Sequence, residues 1–387
     1  MKNEAFMFLK TEYPSLNYKT KNYNPPKKII ILIFILSFYF ISHKINFSNR
    51  TDEIDKINLI LSQNNLKHNE INEEFIINLK NILKNDELIE NEMLDKHTTF
   101  RIGGPARFFS KPKTIEQIKE IIHLCNQFKV HYFILGNGSN LLVSDTGYNG
   151  VIIQINENNF SKLEVNKQAE DTFLLTIGAG MLMKTLAIKT CLLSLTGLED
   201  IIDIPGTVGG GIIMNASFKK PGLNIHLNSV KVITPKGEIL ELSKTECKLG
   251  WRGSMLKNKK YLVFEAIFKL KKGDKMKIQK TLTENTRMRY QKQPMYFGNA
   301  GCFFVRDRRL GSLYKIYKEN NLVGYRVGNI MIYIFNISFI VNLGKGTADD
   351  VMKIVNKVER VIKEKYNFVI RREVIVIGTI NGVKYYF

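Results

Sequence analysis

Apolar residues recur at helical spacing in several stretches of the chain. Ile54, Ile57, Leu59 and Ile60, then Ile71, Phe75, Ile76, Leu79, Ile82 and Leu83, predict two short helices in a polar lead-in over 51–92. Ile115, Ile118, Ile121, Ile122 and Cys125 share one helical face, and Thr114-Ile115-Glu116-Gln117 reads as the capping box that starts it. Another helix is expected around Met183–Leu193. Val351, Ile354, Val355, Val358, Val361 and Ile362 line one face of a long helix from Asp349 to Lys365. Thr347 or a neighbour caps it, and Asp349 and Asp350 suit its positive end. Short apolar runs predict strands at Tyr132–Leu135, Val151–Ile155, Phe173–Ile177, Val230–Ile233, Ile239–Leu242 and Tyr261–Leu270. Thr98–Ala106 reads as a strand running into a Gly-Gly-Pro turn. Phe368–Gly378 reads as a buried strand interrupted by Arg371, Arg372 and Glu373. This order is α+β rather than a βαβ series, and no GxGxxG opens a helix.

One apolar run stands apart. Ile29–Ile41 is 13 residues long and follows Lys27 and Lys28. A helical span takes roughly 20 residues. Three readings stay open: a short membrane anchor with residues 1–28 held inside, an uncleaved signal-like segment, or upstream sequence that a later start would omit. The last needs a non-Met start, because no Met lies between Met7 and Met93.

A chain of 387 residues calls for two or three domains. Its net charge of +21 favours anionic ligands such as nucleotides and sugar phosphates, although coding bias toward Lys, Asn and Ile gives the same number. No nucleic-acid motif accompanies it, so nucleic acid is not an expected partner. Cys125, Cys191, Cys247 and Cys302 are scattered without CxxC spacing, which points to a reducing compartment. The six histidines show no ligand spacing, and no metal is expected.

Candidate chemistry lies in two glycine segments. The first is Gly136-Asn137-Gly138-Ser139-Asn140, and its plain alternative is a hairpin turn. The second is Pro205-Gly206-Thr207-Val208-Gly209-Gly210-Gly211. Three consecutive glycines weaken any regular element by roughly 1 kcal/mol each, so a close backbone–ligand approach is the expected reason for them. Together the segments suggest a dinucleotide held along its length. Arg252 could grip a carboxylate in two-pronged fashion, or be a solvated cation. Glu373, inside an apolar stretch, is either a functional buried carboxyl or one partner of a neighbouring Arg371 or Arg372. Cys302, beside Gly301, is either inert filler or a proton donor whose ordinary pKa is near ~8.5.

Ten segments in order carry a resemblance. They are TTFRIGGPA at 98–106, LGNGSNLLVSDTGYNGVII at 135–153, IGAGM at 177–181, GLEDIIDIPGTVGGGIIMNAS at 197–217 and GWRGSMLK at 250–257. RYQKQP at 289–294, NAGCFF at 299–304, GYRVG at 324–328, FIVNLGKGTADDV at 339–351 and RREVIVIG at 371–378 complete the set. Over residues 90–387 the chain resembles the UDP-N-acetylenolpyruvoylglucosamine reductases. The resemblance implies a vanillyl-alcohol-oxidase-like, PCMH-type FAD-binding domain at 93–273, and then a C-terminal α/β substrate domain at 279–387. FAD would lie along Gly136–Asn140, Pro205–Gly210 and Asn215, with NADPH as electron donor and a UDP-sugar as substrate. Flavin N5 would give hydride to the β-carbon of the enol ether. Arg252 and Glu373 would stabilise the enolate, and Cys302 would protonate the α-carbon. A monomer in the cytoplasm is the implied form.

The chain also departs from the family pattern. Val305-Arg306-Asp307 replaces a Lys-Asn-Pro, Tyr333–Phe339 replaces a Ser-x-x-His-x-Asn-Phe, and Ser217–Lys220 replaces a Gly-Ala-Tyr-Gly. Arg306 and the Lys219–Lys220 pair are expected substitutes for lost phosphate contacts. Two rivals follow: a flavin- or nucleotide-binding protein with lapsed catalysis, with or without a membrane tether, and a different oxidase on the same scaffold. The joint presence of Arg252, Cys302 and Glu373 argues against the second rival.

Overall fold

The computed structural model describes residues 71–218 and 223–385. The apolar run 29–41, the helical spacing at 54–60 and the Lys219–Lys220 pair lie outside them. Among the described residues no helix is long and apolar enough to cross a membrane.

The chain begins with helix α1 (Glu73–Ile82) and strands β1 (Leu88–Met93) and β2 (Pro105–Ser110), followed by α2 (Ile115–Phe128), β3 (Tyr132–Leu135), β4 (Leu141–Val143) and β5 (Tyr148–Gln154). It continues with β6 (Leu163–Ala169), β7 (Thr172–Gly178), α3 (Met183–Leu192), β8 (Leu195–Thr196), α4 (Val208–Ile213), β9 (Leu227–Ile233) and β10 (Ile239–Ser243). Then come α5 (Met255–Asn258), β11 (Leu262–Lys272), α6 (Lys275–Lys292), β12 (Gly298–Cys302), α7 (Leu313–Glu319), β13 (Arg326–Val327), β14 (Ile330–Ile332) and β15 (Phe339–Asn342). Helix α8 (Ala348–Tyr366) and strands β16 (Ile375–Ile380) and β17 (Val383–Tyr385) close the described chain.

Four sheets result. The first has the order β1-β2-β5-β3, antiparallel between β1 and β2 and parallel across the other two pairs. The second, β10-β9-β11-β7-β6, is antiparallel and carries β8 on β11. One apolar core joins these two sheets to α1 and α2, with Phe75, Phe108, Ile121, Val151 and Phe268 fully buried. The third sheet, β12-β15-β14-β13, is antiparallel and shares a second core with the apolar face of α8. In the fourth, β16 pairs with β17 and runs parallel to β4, matching Ile375 with Leu141. The end of the chain thereby returns to the strand that follows the first glycine segment.

Local signals worked where the reason was local. Thr114 accepts from Gln117 N while Gln117 accepts from Thr114 N, the expected capping box. Thr347 caps α8 by accepting from Asp350 N.

Three expectations change, and one helix went unforeseen. The lead-in is not helical to its end, because 88–93 forms β1 and pairs with β2. At 98–106 the turn comes first: Thr98 Oγ1 donates to Ile102 O at 3.0 Å, Arg101 adopts φ +56°, and the strand begins only at Pro105. The strand near the C-terminus starts at Ile375, so Glu373 precedes it. Helix α6 carried no apolar stripe to announce it. Its buried positions include Asn285 and Arg289, held by tertiary hydrogen bonds and stacking rather than by amphipathicity.

Candidate active site

The first glycine segment is not a hairpin. It joins β3 of the first sheet to β4 of the fourth, so its flanking strands do not pair. Gly138 has φ +58°, and a Cβ there would stand 2.1 Å from His97 O. Only glycine permits that approach.

The second segment is not bare loop either. Thr207 accepts from Gly210 N and caps the short helix α4. The glycines of this helix have different neighbours. A Cβ on Gly209 would meet Ala179 Cβ at 2.9 Å, and one on Gly211 would meet Met183 Sδ at 2.7 Å. One on Gly210 would meet nothing nearer than Thr207 Oγ1 at 3.4 Å. Gly210 is exposed and lines the cavity. Packing explains Gly209 and Gly211, whereas room for a ligand explains Gly210.

Both segments border one cavity of about 940 Å³, near the top of the ~300–1,000 Å³ range of ligand sites. Gly136, Asn137, Gly138, Ser139, Asn140, Pro205, Gly206, Thr207, Gly209 and Gly210 all line it. Val208 and Asn215 do not. Val208 is fully buried in the core, and Asn215 Nδ2 donates to Gly250 O at 2.8 Å. Arg306 is also absent from the lining. The cations Arg101, Lys129, Arg252, Lys257, Lys260 and Arg289 border the cavity, against the carboxylate of Glu373. The chain's positive field therefore concentrates where a phosphorylated ligand fits.

Arg252, Cys302 and Glu373 meet on this cavity wall. The parallel match of Ile375 with Leu141 brings Glu373 beside the first segment, and Glu373 N donates to Phe303 O at 2.8 Å. Arg252 Nε then lies 3.3 Å from Glu373 Oε1. Of the two expected neighbour partners, Arg372 instead binds Glu359, with an Nη2–Oε2 distance of 2.7 Å, and Arg371 acts on Glu373 only through its charge. Burial raises the pKa of Glu373, opposed by the charges of Arg252, Lys257 and Arg371. Burial also pushes the Cys302 thiol up to about 11. Glu373 adds to this, while Arg252, Ser338 and Arg289 oppose it. The thiol thus holds its proton more tightly than its ordinary value suggests.

Sequence reasoning assigned no role to Arg289. Helix α6 sets it in the wall by anchoring one turn earlier, where Asn285 donates to Glu199 O and Asp200 Oδ1, and Thr286 donates to Asp203 at 2.6 Å. Its guanidinium stacks on Phe218 at 5.0 Å, and its Nε is buried with no hydrogen-bond partner. Burial lowers its pKa to about 10. An orphaned buried donor on a cation-lined cavity fits an anionic or carbonyl-bearing ligand. The signal available in the sequence was RYQKQP, within the resemblance.

Cationic walls, close-approach glycines and a cavity of this volume suit a dinucleotide such as that of a flavoprotein oxidoreductase. A family model described as an FAD binding domain matches residues 106–243. A second, for the C-terminal domain of UDP-N-acetylenolpyruvoylglucosamine reductase, matches 293–377. A reductase of that name from Lachnoclostridium phytofermentans is 37% identical over 308 residues, covering 80% of this chain and 98% of the relative. One from Clostridium novyi is 36% identical over 301 residues, covering 78% and 95%. The crystal structure of the reductase from Thermus caldophilus superposes with a TM-score of 0.62 at 31% identity, covering 75% of this chain and 98% of that one. The chain belongs to the UDP-N-acetylenolpyruvoylglucosamine reductase family of FAD-dependent oxidoreductases.

Proposed function

We propose that this cavity carries out NADPH-dependent reduction of UDP-N-acetylglucosamine enolpyruvate to UDP-N-acetylmuramate, a cytoplasmic step of peptidoglycan precursor synthesis. In this reading residues 93–273 hold FAD and residues 279–387 close over the UDP-sugar. The observation that carries it is the meeting of Arg252, Cys302 and Glu373 on the wall bordered by both glycine segments.

Gly136–Asn140, Pro205–Thr207 and Gly210 would hold the cofactor. Bound FAD supplies the hydride that the enol ether accepts. The protein's own contribution is electrostatic and protonic. Arg252 faces the negative charge that develops on the enolate and stabilises it. Glu373, with its pKa raised by burial, helps in its protonated form, since a bare carboxylate would repel that charge. Cys302 gives its proton to the α-carbon, and the nearby Arg252 and Arg289 then stabilise the thiolate left behind.

The test separates two half-reactions. Cys302→Ala should bind flavin and be reduced by NADPH, while reoxidation by the enolpyruvyl sugar slows about 10²–10⁴-fold. Normal turnover in that variant would remove the proton-donor role. Because the thiol pKa is raised to about 11, the Cys302-dependent rate should hold through neutral pH and fall only as pH approaches that value. If the parent protein bound flavin but was never reoxidised by the substrate, the chain would be a flavin-holding protein with lapsed catalysis.

A further inference from the structure

Each glycine segment leads into an asparagine whose side chain grips backbone rather than side chain. At the end of the first, Asn140 Nδ2 donates to Glu373 O at 3.1 Å, and Ile375 N donates to Asn140 O at 3.0 Å. After the second, Asn215 Nδ2 donates to Gly250 O at 2.8 Å. Gly250 opens a tight turn closed by its own N–H on Gly253 O at 2.9 Å. Arg252 sits inside that turn at φ +57°. A left-handed non-glycine residue costs about 1–3 kcal/mol and persists only when its surroundings hold it. The Trp251 ring lies 5.1 Å from the Arg252 guanidinium and helps to aim it. Asn215 is itself left-handed, at φ +45°, which asparagine tolerates better than most residues.

We infer that Asn215 and Asn140 are positioning residues that fix the Arg252–Glu373 pair against the two glycine segments. The backbone that borders the cofactor space thereby also sets the geometry of the charged pair. The inference rests on the role proposed above for that pair. Asn215 is the sharper case, because it does not line the cavity. Replacing it removes no side chain from the cavity lining and frees the turn that carries Arg252. Glu373 faces Arg252 from this turn, Lys257 from α5, Cys302 from β12 and Arg371 from its own segment.

Two variants test it. Asn215→Gly keeps the left-handed backbone and drops the side chain. Asn215→Asp keeps size and backbone tolerance and removes the donor. Purified proteins are assayed for flavin content, reduction by NADPH and reoxidation by UDP-N-acetylglucosamine enolpyruvate. Both variants should keep parental flavin content and reduction within about twofold, and reoxidise about tenfold more slowly, the scale of a small misplacement of a catalytic group. The limb of the reoxidation pH profile that Glu373→Gln abolishes should move to higher pH. Arg252 no longer opposes burial there, and a merely loosened fold would not shift that limb. Loss of flavin in step with activity would make Asn215 a cofactor contact and overturn the inference. So would reoxidation within twofold of the parent. Arg252→Ala separates the two levels: if it reoxidises normally, the role of the pair itself fails, whatever Asn215 does, and the positioning role falls with it.

Discussion

The two glycine segments look alike in composition and differ in what their glycines are for. In Gly136–Asn140 the chain crosses between sheets, and glycine is forced by neighbouring main chain and by the other segment. A Cβ on Gly138 would collide with His97 O at 2.1 Å, and one on Gly136 with Thr207 Oγ1 at 2.6 Å. In Pro205–Gly211 the chain turns into a helix, and two of its three consecutive glycines make room for Ala179 and Met183. Of these three, only Gly210 combines open surroundings with a place on the cavity. A run of glycines is therefore not uniform evidence for a ligand. Each position has to be asked what its missing Cβ would touch.

Alanine substitutions put that comparison at risk, and their effects should fall in a definite order. Gly138→Ala combines a backbone collision with a left-handed φ, and should destabilise the protein by about 3 kcal/mol or more and lower its flavin content. Denaturant unfolding measures this. Parental stability would mean that the crossing is not held as tightly as the contact implies. Gly211→Ala meets the flexible end of Met183 and one methyl of Leu223, and should cost only about 1 kcal/mol, with flavin content little changed. A loss as large as that of Gly138→Ala would erase the distinction between main-chain and side-chain constraint. Gly210→Ala should leave the fold as stable as before or raise stability by about 0.5–1 kcal/mol, because alanine favours the helix. Its flavin affinity, followed by titrating the flavin-free protein with FAD, should nonetheless fall. Unchanged affinity would place the cofactor away from α4.

Helices α2 and α8 were legible with their caps, and α1 from its apolar spacing, because capping and amphipathic spacing are local properties. Strands β7, β9, β10 and β11 of the second sheet were legible from short β-rich runs, whereas β6, mostly polar and exposed, and the two-residue β8 were not. Helix α6 was not, since its buried residues are polar and find their partners in the 199–203 segment. Arg289 was hidden for the same reason: nothing around it in the sequence says that it is desolvated.

The chain alone settled which residue types carry chemistry and in what order they come, because a glycine, a thiol, a guanidinium and a carboxyl keep their chemical character wherever they are placed. It also settled the helices whose hydrogen bonds and caps close within a few residues. Tertiary structure decided the rest. The return of β16 to β4 brought Glu373 to Arg252 and placed it beside Cys302, while a separate contact turned Asn215 toward the Gly250 turn. Pairing, burial and the resulting shifts in proton affinity depend on groups far apart in sequence, and only the packed chain brings those groups within reach.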